Sequence, residues 1–186
     1  MRRLLPFFLI IIIFTSSGVV ISDVKFTGEY TFNKDKFVLN GAGVREKYYI
    51  DLYVLGLYLK TKTTDVNKIL NTDEPQLFRL VCVSGLITDE KFNEAMVNAF
   101  YEATDGHPEI YSDEISRLKK AFSGEWREND EFIIYYTPEK GLGLYKNNVL
   151  MDTINSGLLF KIAIMKVWLG PESVSESLKN QILGDD

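Results

Sequence analysis

The segment 48–59 is the part of the sequence that most constrains the fold. Its residues alternate as they would along a β-strand, yet both alternating faces are apolar, and Asp51 is the single charged residue inside it. A strand that is apolar on both faces is covered on both faces. Gly56 leaves a gap in it, where a backbone or a ligand can approach. The sequence therefore predicts a sheet in which this strand is covered on both sides.

Strand and helix patterns follow one another in blocks along the rest of the chain. Segments 24–26, 30–32 and 36–39 are predicted strands, and the Gly-rich segment 40–43 is a predicted turn. Thr88 precedes an amphipathic stripe that predicts a helix ending near residue 104. The later patterns predict four strands, at 77–84, 131–137, 142–146 and 149–153. They also predict helices at 65–70, from about residue 112 and, after Ser156, at 157–168. A capping box at 173–176 predicts a short C-terminal helix. This order indicates one α+β domain with an antiparallel sheet and helices on one face.

Composition excludes several functional classes. One histidine and one cysteine leave no multi-histidine metal site and no internal disulfide framework. The net charge of −5 and the lack of a Lys/Arg run give no support to a nucleic-acid partner. No P-loop, G-x-S-x-G, H-E-x-x-H or C-x-x-C motif is present, and Gly41-Ala42-Gly43 does not meet the dinucleotide pattern. We therefore predict no metal, no cofactor and no catalytic residue.

The N-terminus has the layout of a secretory signal peptide. Arg2 and Arg3 precede an apolar run at residues 4–14, and small residues follow it. We predict a signal peptide at 1–22, with cleavage between Ser17 and Ser22, a mature domain at 23–186 without a stable membrane span, and a periplasmic location. The alternative is an uncleaved N-terminal membrane anchor, because residues 19–21 extend the apolar run. In the periplasm Cys82 would be unpaired in an oxidising compartment, and its apolar flanks predict that it is buried.

Arg45 is the charged residue that calls for an explanation. It lies between the Gly-rich segment and the strand that is covered on both sides, where a guanidinium needs a partner. One interpretation is an ion pair with Asp51, Glu46 or a neighbouring strand. The other is a cation that binds an anionic ligand.

Several segments resemble the chalcone isomerase family. They are LNGAGVR at residues 39–45, VLGLYL at 54–59, VWLGP at 167–171 and VSESLK at 174–179. The resemblance extends over roughly residues 24–184, and exported bacterial chalcone isomerase-like proteins are the nearest variety. It implies the family's open-faced β-sandwich. In that fold a layer of helices packs on a long antiparallel sheet, and a ligand cleft lies between the two.

The resemblance also implies where a ligand would bind. In plant enzymes that cyclise a chalcone to a flavanone, an arginine acts with threonine and tyrosine hydroxyls. Arg45 matches the arginine, whereas the hydroxyl positions fall on Tyr53, on Lys91 or Phe92, and on Val167. The fatty-acid-binding branch holds a carboxylate with an arginine and a tyrosine, which fall on Arg45 and Tyr58. The predicted ligand-binding residues are Arg45, Tyr58, Tyr53 and Gly56.

Three functions remain open at the level of the sequence. The first is a non-catalytic periplasmic protein that binds a fatty acid or a similar small amphipathic carboxylate. The second is an isomerase or intramolecular lyase that uses Arg45 as electrophile. The third is an interaction module whose cleft is filled by its own side chains. Because Arg45 and Tyr58 are an odd number of residues apart, a straight strand would place them on opposite faces, so a bend near Glu46 is required for them to converge.

Overall fold

A seven-stranded antiparallel sheet is the centre of the fold. The computed structural model describes residues 18–184. The strands are neighbours in the order in which they occur along the chain, and a separate two-stranded hairpin precedes them. The hairpin is β1 (Val19–Ile21) and β2 (Val24–Phe26), and the sheet is β3 (Glu29–Phe32), β4 (Asp35–Lys47), β5 (Ile50–Leu59), β6 (Gln76–Cys82), β7 (Glu131–Thr137), β8 (Gly141–Lys146) and β9 (Val149–Ile154).

Five helices cover one face of this sheet. They are α1 (Val66–Asn71), α2 (Asp89–Ala103), α3 (Ser112–Ala121), α4 (Gly157–Leu169) and α5 (Glu176–Leu183), with a 3-10 turn at Pro108–Tyr111. The larger of two buried clusters packs helix residues against Leu55, Leu57 and Leu59 of β5. The smaller cluster lies on the other face around Val54 and Tyr58 and includes Phe26 of the β1–β2 hairpin, but no helix residue. The predicted α+β fold, and a strand β5 covered on both faces, are thus confirmed.

The Gly-rich segment 40–43 is not a turn, because strand β4 continues through it. Its glycines are required by helix α5, which packs directly on the strand. A Cβ atom on Gly41 would lie 2.3 Å from the carbonyl oxygen of Gln181, and one on Gly43 would lie 2.2 Å from the Gln181 side-chain oxygen. That side chain instead accepts a hydrogen bond from the Val44 backbone N–H. The glycines therefore allow close packing of a helix rather than a change of chain direction.

The predicted helices are present, but their cap residues are confirmed only in part, since Ser156 makes no side-chain cap hydrogen bond. Thr88 caps α2, and its side chain accepts a hydrogen bond from the Lys91 backbone N–H. Helix α5 begins later than predicted, because Ser175 rather than Ser173 is its N-cap residue and accepts from the Leu178 N–H. Cys82 is buried, as predicted.

The first described residues overlap the predicted leader. Residues 19–21, which the sequence assigns to the leader, form β1 and pair with β2. The apolar run at 4–14 lies outside the described residues. Within residues 18–184, no helix has the length and apolar character needed to cross a membrane.

Strand β4 turns into β5 through a two-residue loop, Tyr48–Tyr49, so the predicted strand at 48–59 begins at Ile50. Both tyrosines have positive φ, 54° and 63°. A two-residue hairpin loop of type I′ has positive φ at both positions, for which Asn and Gly are the usual residues. The β8–β9 hairpin uses that chemistry, with Asn147 and Asn148 at φ 50° and 65°. Within residues 18–184, the tyrosines are thus the only large side chains at positive φ.

Candidate ligand-binding cleft

A cleft of about 460 Å³ opens between the β4–β5 hairpin and helices α2 and α4. This volume lies within the range of pockets that bind small organic ligands, ~300–1,000 Å³. Its walls are mainly apolar. The apolar side chains come from the sheet, from α2 and α4, and from the loops beside them: Tyr48, Ile50, Leu52, Tyr53, Leu80, Leu86, Ile87, Phe92, Ala95, Met96, Ala99, Trp126, Val167, Trp168 and Val174.

A second, smaller cavity lies behind the cleft. Its volume is about 30 Å³, and within residues 18–184 its lining is entirely apolar. The two spaces share five lining residues, so they are adjacent. The shared residues are Leu80, Phe92, Met96, Trp126 and Trp168. The inner wall of the cleft is thus formed by side chains that also line this cavity.

Charge in the cleft is concentrated near its mouth and is mainly positive. Arg45, Lys47 and Lys91 contribute three cations, and Glu94 is the one carboxylate among the described lining residues. The chain as a whole carries a net charge of −5. A locally positive site in an acidic protein favours an anionic ligand.

Arg45 reaches the cleft from β4 and faces Tyr53 across the hairpin, as its cross-strand partner. Next to the turn, Lys47 pairs with Ile50 and Glu46 with Asp51, but Arg45 pairs with Tyr53 and not with Leu52. Leu52 is thus an extra residue in β5, a β-bulge. One guanidinium nitrogen, Nη1, donates to the Glu46 backbone oxygen over 2.7 Å. Arg45 forms no salt bridge within residues 18–184, so its other N–H groups are available to a ligand.

The Tyr53 hydroxyl is held in the orientation of a donor. Its oxygen accepts a hydrogen bond from the indole Nε1 of Trp168 over 3.1 Å. Because an indole N–H can only donate, the hydroxyl hydrogen of Tyr53 points elsewhere, and none of the described residues accepts it. Burial raises the pKa of Tyr53, and the Trp168 hydrogen bond and the Arg45 charge offset this in part. Tyr53 therefore stays protonated and can donate beside Arg45.

Two of the predicted site residues lie outside this cleft. Tyr58 is fully buried on the opposite face of the sheet, and its hydroxyl donates to the Thr27 backbone oxygen over 3.2 Å. Gly56 lies on that face as well, where an added Cβ would meet the Phe26 ring at 2.5 Å. The expected convergence of Arg45 and Tyr58 on one carboxylate is corrected by this geometry. The bulge at Leu52 places Arg45 opposite Tyr53, and Tyr58 remains on the other face of the sheet.

The remaining positions implied by the resemblance do meet in the cleft. Lys91, Phe92 and Val167 all line it with Arg45 and Tyr53. By the resemblance, Lys91 or Phe92 stands where the isomerases have a tyrosine, and Val167 stands where they have a threonine. Tyr53 is the one hydroxyl retained at these positions.

Sequence reasoning missed Trp168 and Lys47 as parts of the site. Trp168 belongs to the VWLGP segment that carried the family resemblance, so its place in the chain was a usable signal. Lys47 lies two residues after Arg45 and lines the same cleft. Within residues 18–184, no group of three or more metal-binding side chains is close enough to hold a metal ion.

Comparisons with known proteins agree on the fold. A family model described as chalcone isomerase-like matches residues 18–184. A solved structure of a fatty-acid binding protein from Arabidopsis thaliana is similar to this chain, with a TM-score of 0.70 and 17% sequence identity. The similarity covers 90% of this chain and 96% of the plant protein. No curated protein has a matching sequence.

Proposed function

The chain belongs to the chalcone isomerase-like family, and on this basis we propose that it binds a fatty acid or a similar small amphipathic carboxylate without catalysis. The observation that carries the proposal is the pair Arg45 and Tyr53. Both present free donors to the same apolar cleft, from neighbouring positions on β4 and β5. The structural similarity to a plant fatty-acid binding protein supports the same class of ligand.

The carboxylate would lie between the Arg45 guanidinium and the Tyr53 hydroxyl. An arginine can bind a carboxylate with two parallel hydrogen bonds, and charge-assisted hydrogen bonds are the stronger kind. Lys47 and Lys91 would add long-range attraction for the anion. A non-catalytic role is favoured because Phe92 and Val167 have no hydroxyl group that could polarise a ketone, and the Lys91 ammonium donates to the Leu86 backbone oxygen.

The acyl chain would extend from the carboxylate into the apolar part of the cleft. Phe92, Met96 and Trp126 line this part and also border the inner cavity. Each buried methylene contributes ~0.8 kcal/mol. The length of the acyl chain would then affect the affinity more than the headgroup does.

We further propose that the protein is exported and that its N-terminal segment is removed. The basic residues and the apolar run of the leader support this proposal. Cleavage close to Ser17 would leave β1 whole, whereas cleavage at Ser22 would remove it. Intact-mass measurement of protein from the periplasm should give a chain that begins close to residue 18. Full-length chain in the membrane fraction would instead indicate an N-terminal anchor.

Extraction of the purified protein into organic solvent, followed by mass spectrometry, tests the proposed ligand. We expect acyl chains from wild type, less from Arg45→Ala, and the wild-type amount from Arg127→Ala. Arg127 is the matched control because it is an exposed arginine outside the cleft. A protein that carries no acyl chain and binds no added fatty acid would contradict the proposal.

A further inference from the structure

The mouth of the cleft carries an exposed apolar and aromatic surface. Tyr48 and Tyr49, at the tip of the β4–β5 hairpin, are 83% and 97% exposed, and the adjacent Ile50 is 43% exposed. Leu86, in the loop after β6, is 50% exposed and lines the cleft together with Tyr48 and Ile50. We call these four side chains the rim patch. Large exposed apolar patches mark interaction sites.

The tip of the hairpin is not optimised for folding. Both tyrosines occupy positive φ, which is unfavourable for large side chains. The equivalent loop of the β8–β9 hairpin has two asparagines, a residue type that tolerates this conformation. The side chains at Tyr48 and Tyr49 also gain little from packing, because they are almost fully exposed. Their presence is therefore better explained by a partner than by the stability of the turn.

The charges around the rim patch indicate the chemistry of that partner. Lys47 lies with its ammonium 5.6 Å from the centre of the Tyr48 ring, and the Lys91 ammonium donates to the Leu86 carbonyl over 3.3 Å. Neither lysine forms a salt bridge with any residue in 18–184. Glu46 and Asp51 are paired next to the hairpin tip but do not line the cleft, and Glu94 is the one carboxylate among the described lining residues. In a chain of net charge −5, exposed aromatic side chains flanked by unpaired lysines complement an anionic lipid surface.

We infer that the rim patch docks the protein on an anionic lipid bilayer, with the mouth of the cleft toward the membrane. Tyrosine rings favour the level of the lipid headgroups, where one end of the ring is apolar and the other is hydrated. Ile50 and Leu86 would enter the acyl boundary, and Lys47 and Lys91 would contact lipid phosphates. An amphipathic molecule could then move between bilayer and cleft. Docking goes beyond the proposed function and does not require that the cleft hold a fatty acid.

The chain offers a matched control for this surface. Val149, Leu150 and Met151 on the edge strand β9 are 61%, 52% and 47% exposed. The nearest lysine in sequence, Lys146, is 3.6 Å from the Asp130 carboxylate and is not free. This second patch therefore has similar apolar exposure, and its nearest lysine in sequence is paired with a carboxylate.

A local fluorescent probe tests the inference. Cys82 is buried and burial raises the pKa of its thiol to about 12, so an added surface cysteine can be labelled selectively. Leu86→Cys and Val149→Cys would each carry an environment-sensitive fluorophore and be titrated with vesicles of phosphatidylcholine, with or without phosphatidylglycerol. The probe reports on its own surroundings, so the result does not depend on whether residues 1–17 remain attached.

We expect a blue shift at residue 86 with vesicles that contain phosphatidylglycerol, and none at residue 149. Tyr48→Asn/Tyr49→Gly should abolish the shift at residue 86. Lys47→Gln/Lys91→Gln should raise the lipid concentration for half-maximal response about 30-fold, since each cation contributes ~1 kcal/mol near an anionic surface.

Three results would overturn the inference. They are no shift at residue 86, an equal shift at residues 86 and 149, and a shift at residue 86 that persists in the turn variant. Light scattering tests the other possible occupant of the rim patch, a second copy of the chain. A dimer that Tyr48→Asn/Tyr49→Gly dissociates, with no response to vesicles, would assign the patch to a second copy of the chain.

Discussion

The indole N–H of Trp168 donates to the hydroxyl oxygen of Tyr53 over 3.1 Å, and this contact joins helix α4 to strand β5. The two residues are 115 positions apart in the sequence. Because the indole can only donate, the contact sets the direction of the Tyr53 hydrogen, which is left free beside Arg45. The polar end of the cleft thus depends on packing between the helix layer and the sheet.

Replacing Tyr53 should weaken the binding of a carboxylate. A hydrogen bond to a charged group contributes ~1.5–3 kcal/mol, so Tyr53→Phe should raise the Kd of a fatty acid about 10- to 160-fold in titration calorimetry. Tyr58→Phe is the matched control, because that hydroxyl binds Thr27 on the other face of the sheet. It should leave the Kd unchanged and lower the free energy of unfolding by about 0.5–1.5 kcal/mol. The reverse pattern would place the ligand on the other face.

The protein should not cyclise naringenin chalcone faster than the spontaneous reaction. The ketone would meet Tyr53 but not the other hydroxyls, because Lys91, Phe92 and Val167 occupy the remaining positions around Arg45. A simple absorbance assay follows the reaction. Turnover above background that disappears in Arg45→Ala would show that the cleft is an active site after all.

Lys161 should give the stability of the protein a distinctive dependence on pH. Its side chain is fully buried in α4 and donates to the backbone oxygens of Ile69, Leu70 and Thr72 at the end of α1. Burial lowers the pKa of Lys161 to about 8 from the ordinary 10.5, despite the attraction of Asp73 and Glu74. Between these values the unfolded chain binds more protons than the native one, so the contribution of Lys161 to stability rises with pH.

Urea unfolding of wild type and Lys161→Met at a series of pH values measures this contribution. The difference in unfolding free energy, wild type minus variant, should increase by roughly 2 kcal/mol from about pH 7.5 to about pH 9.5. Other titrating groups are common to both proteins and cancel in the difference. A difference that stays constant over this range would mean that Lys161 keeps its ordinary pKa, and one that falls would mean that folding raises it.

The hairpin tip should become more stable when its tyrosines are replaced. In Tyr48→Asn/Tyr49→Gly the positive φ values are taken by residues that adopt them readily, so the free energy of unfolding should rise by about 1–2 kcal/mol. The control is Asn148→Tyr at φ 65° in the β8–β9 hairpin, which should lower it by a similar amount. Both changes in unfolding free energy are measured as shifts of the urea midpoint, provided that the dependence of that free energy on urea concentration is the same in variant and wild type. A destabilised double variant would show that the tyrosines serve the fold.

The elements that could be predicted from the sequence are those whose signals are local. Helix α2 follows directly from Thr88 and the stripe of apolar residues after it, and β5 follows from its apolar faces. The glycines of β4 were misinterpreted as a turn because their cause is α5, which lies far away in the sequence. A glycine that makes room for another element looks the same in the sequence as one that turns the chain.

The candidate site could be predicted only in part. Arg45 was identified from its charge next to a strand covered on both faces, but its partner depended on the bulge at Leu52. A regular hairpin around Tyr48–Tyr49 would pair Arg45 with Leu52, and a one-residue shift changes the face of every later side chain. The sequence has no local signal for that bulge. Without the bulge, Arg45 would lie on the face of Leu52 and Tyr58; with it, Arg45 lies on the face of Tyr53, and Tyr58 is on the opposite face.

Calorimetric titration with saturated fatty acids of increasing length, on wild type and on variants of Arg45, is the most direct test of carboxylate binding in the cleft. Arg45→Ala should raise the Kd about 10- to 160-fold, Arg45→Lys should restore part of the loss, and Arg127→Ala should change nothing. Shortening the ligand by four methylenes should cost ~3 kcal/mol, as much as losing the arginine. An affinity that does not change with chain length, or that Arg45→Ala leaves intact, would contradict the account.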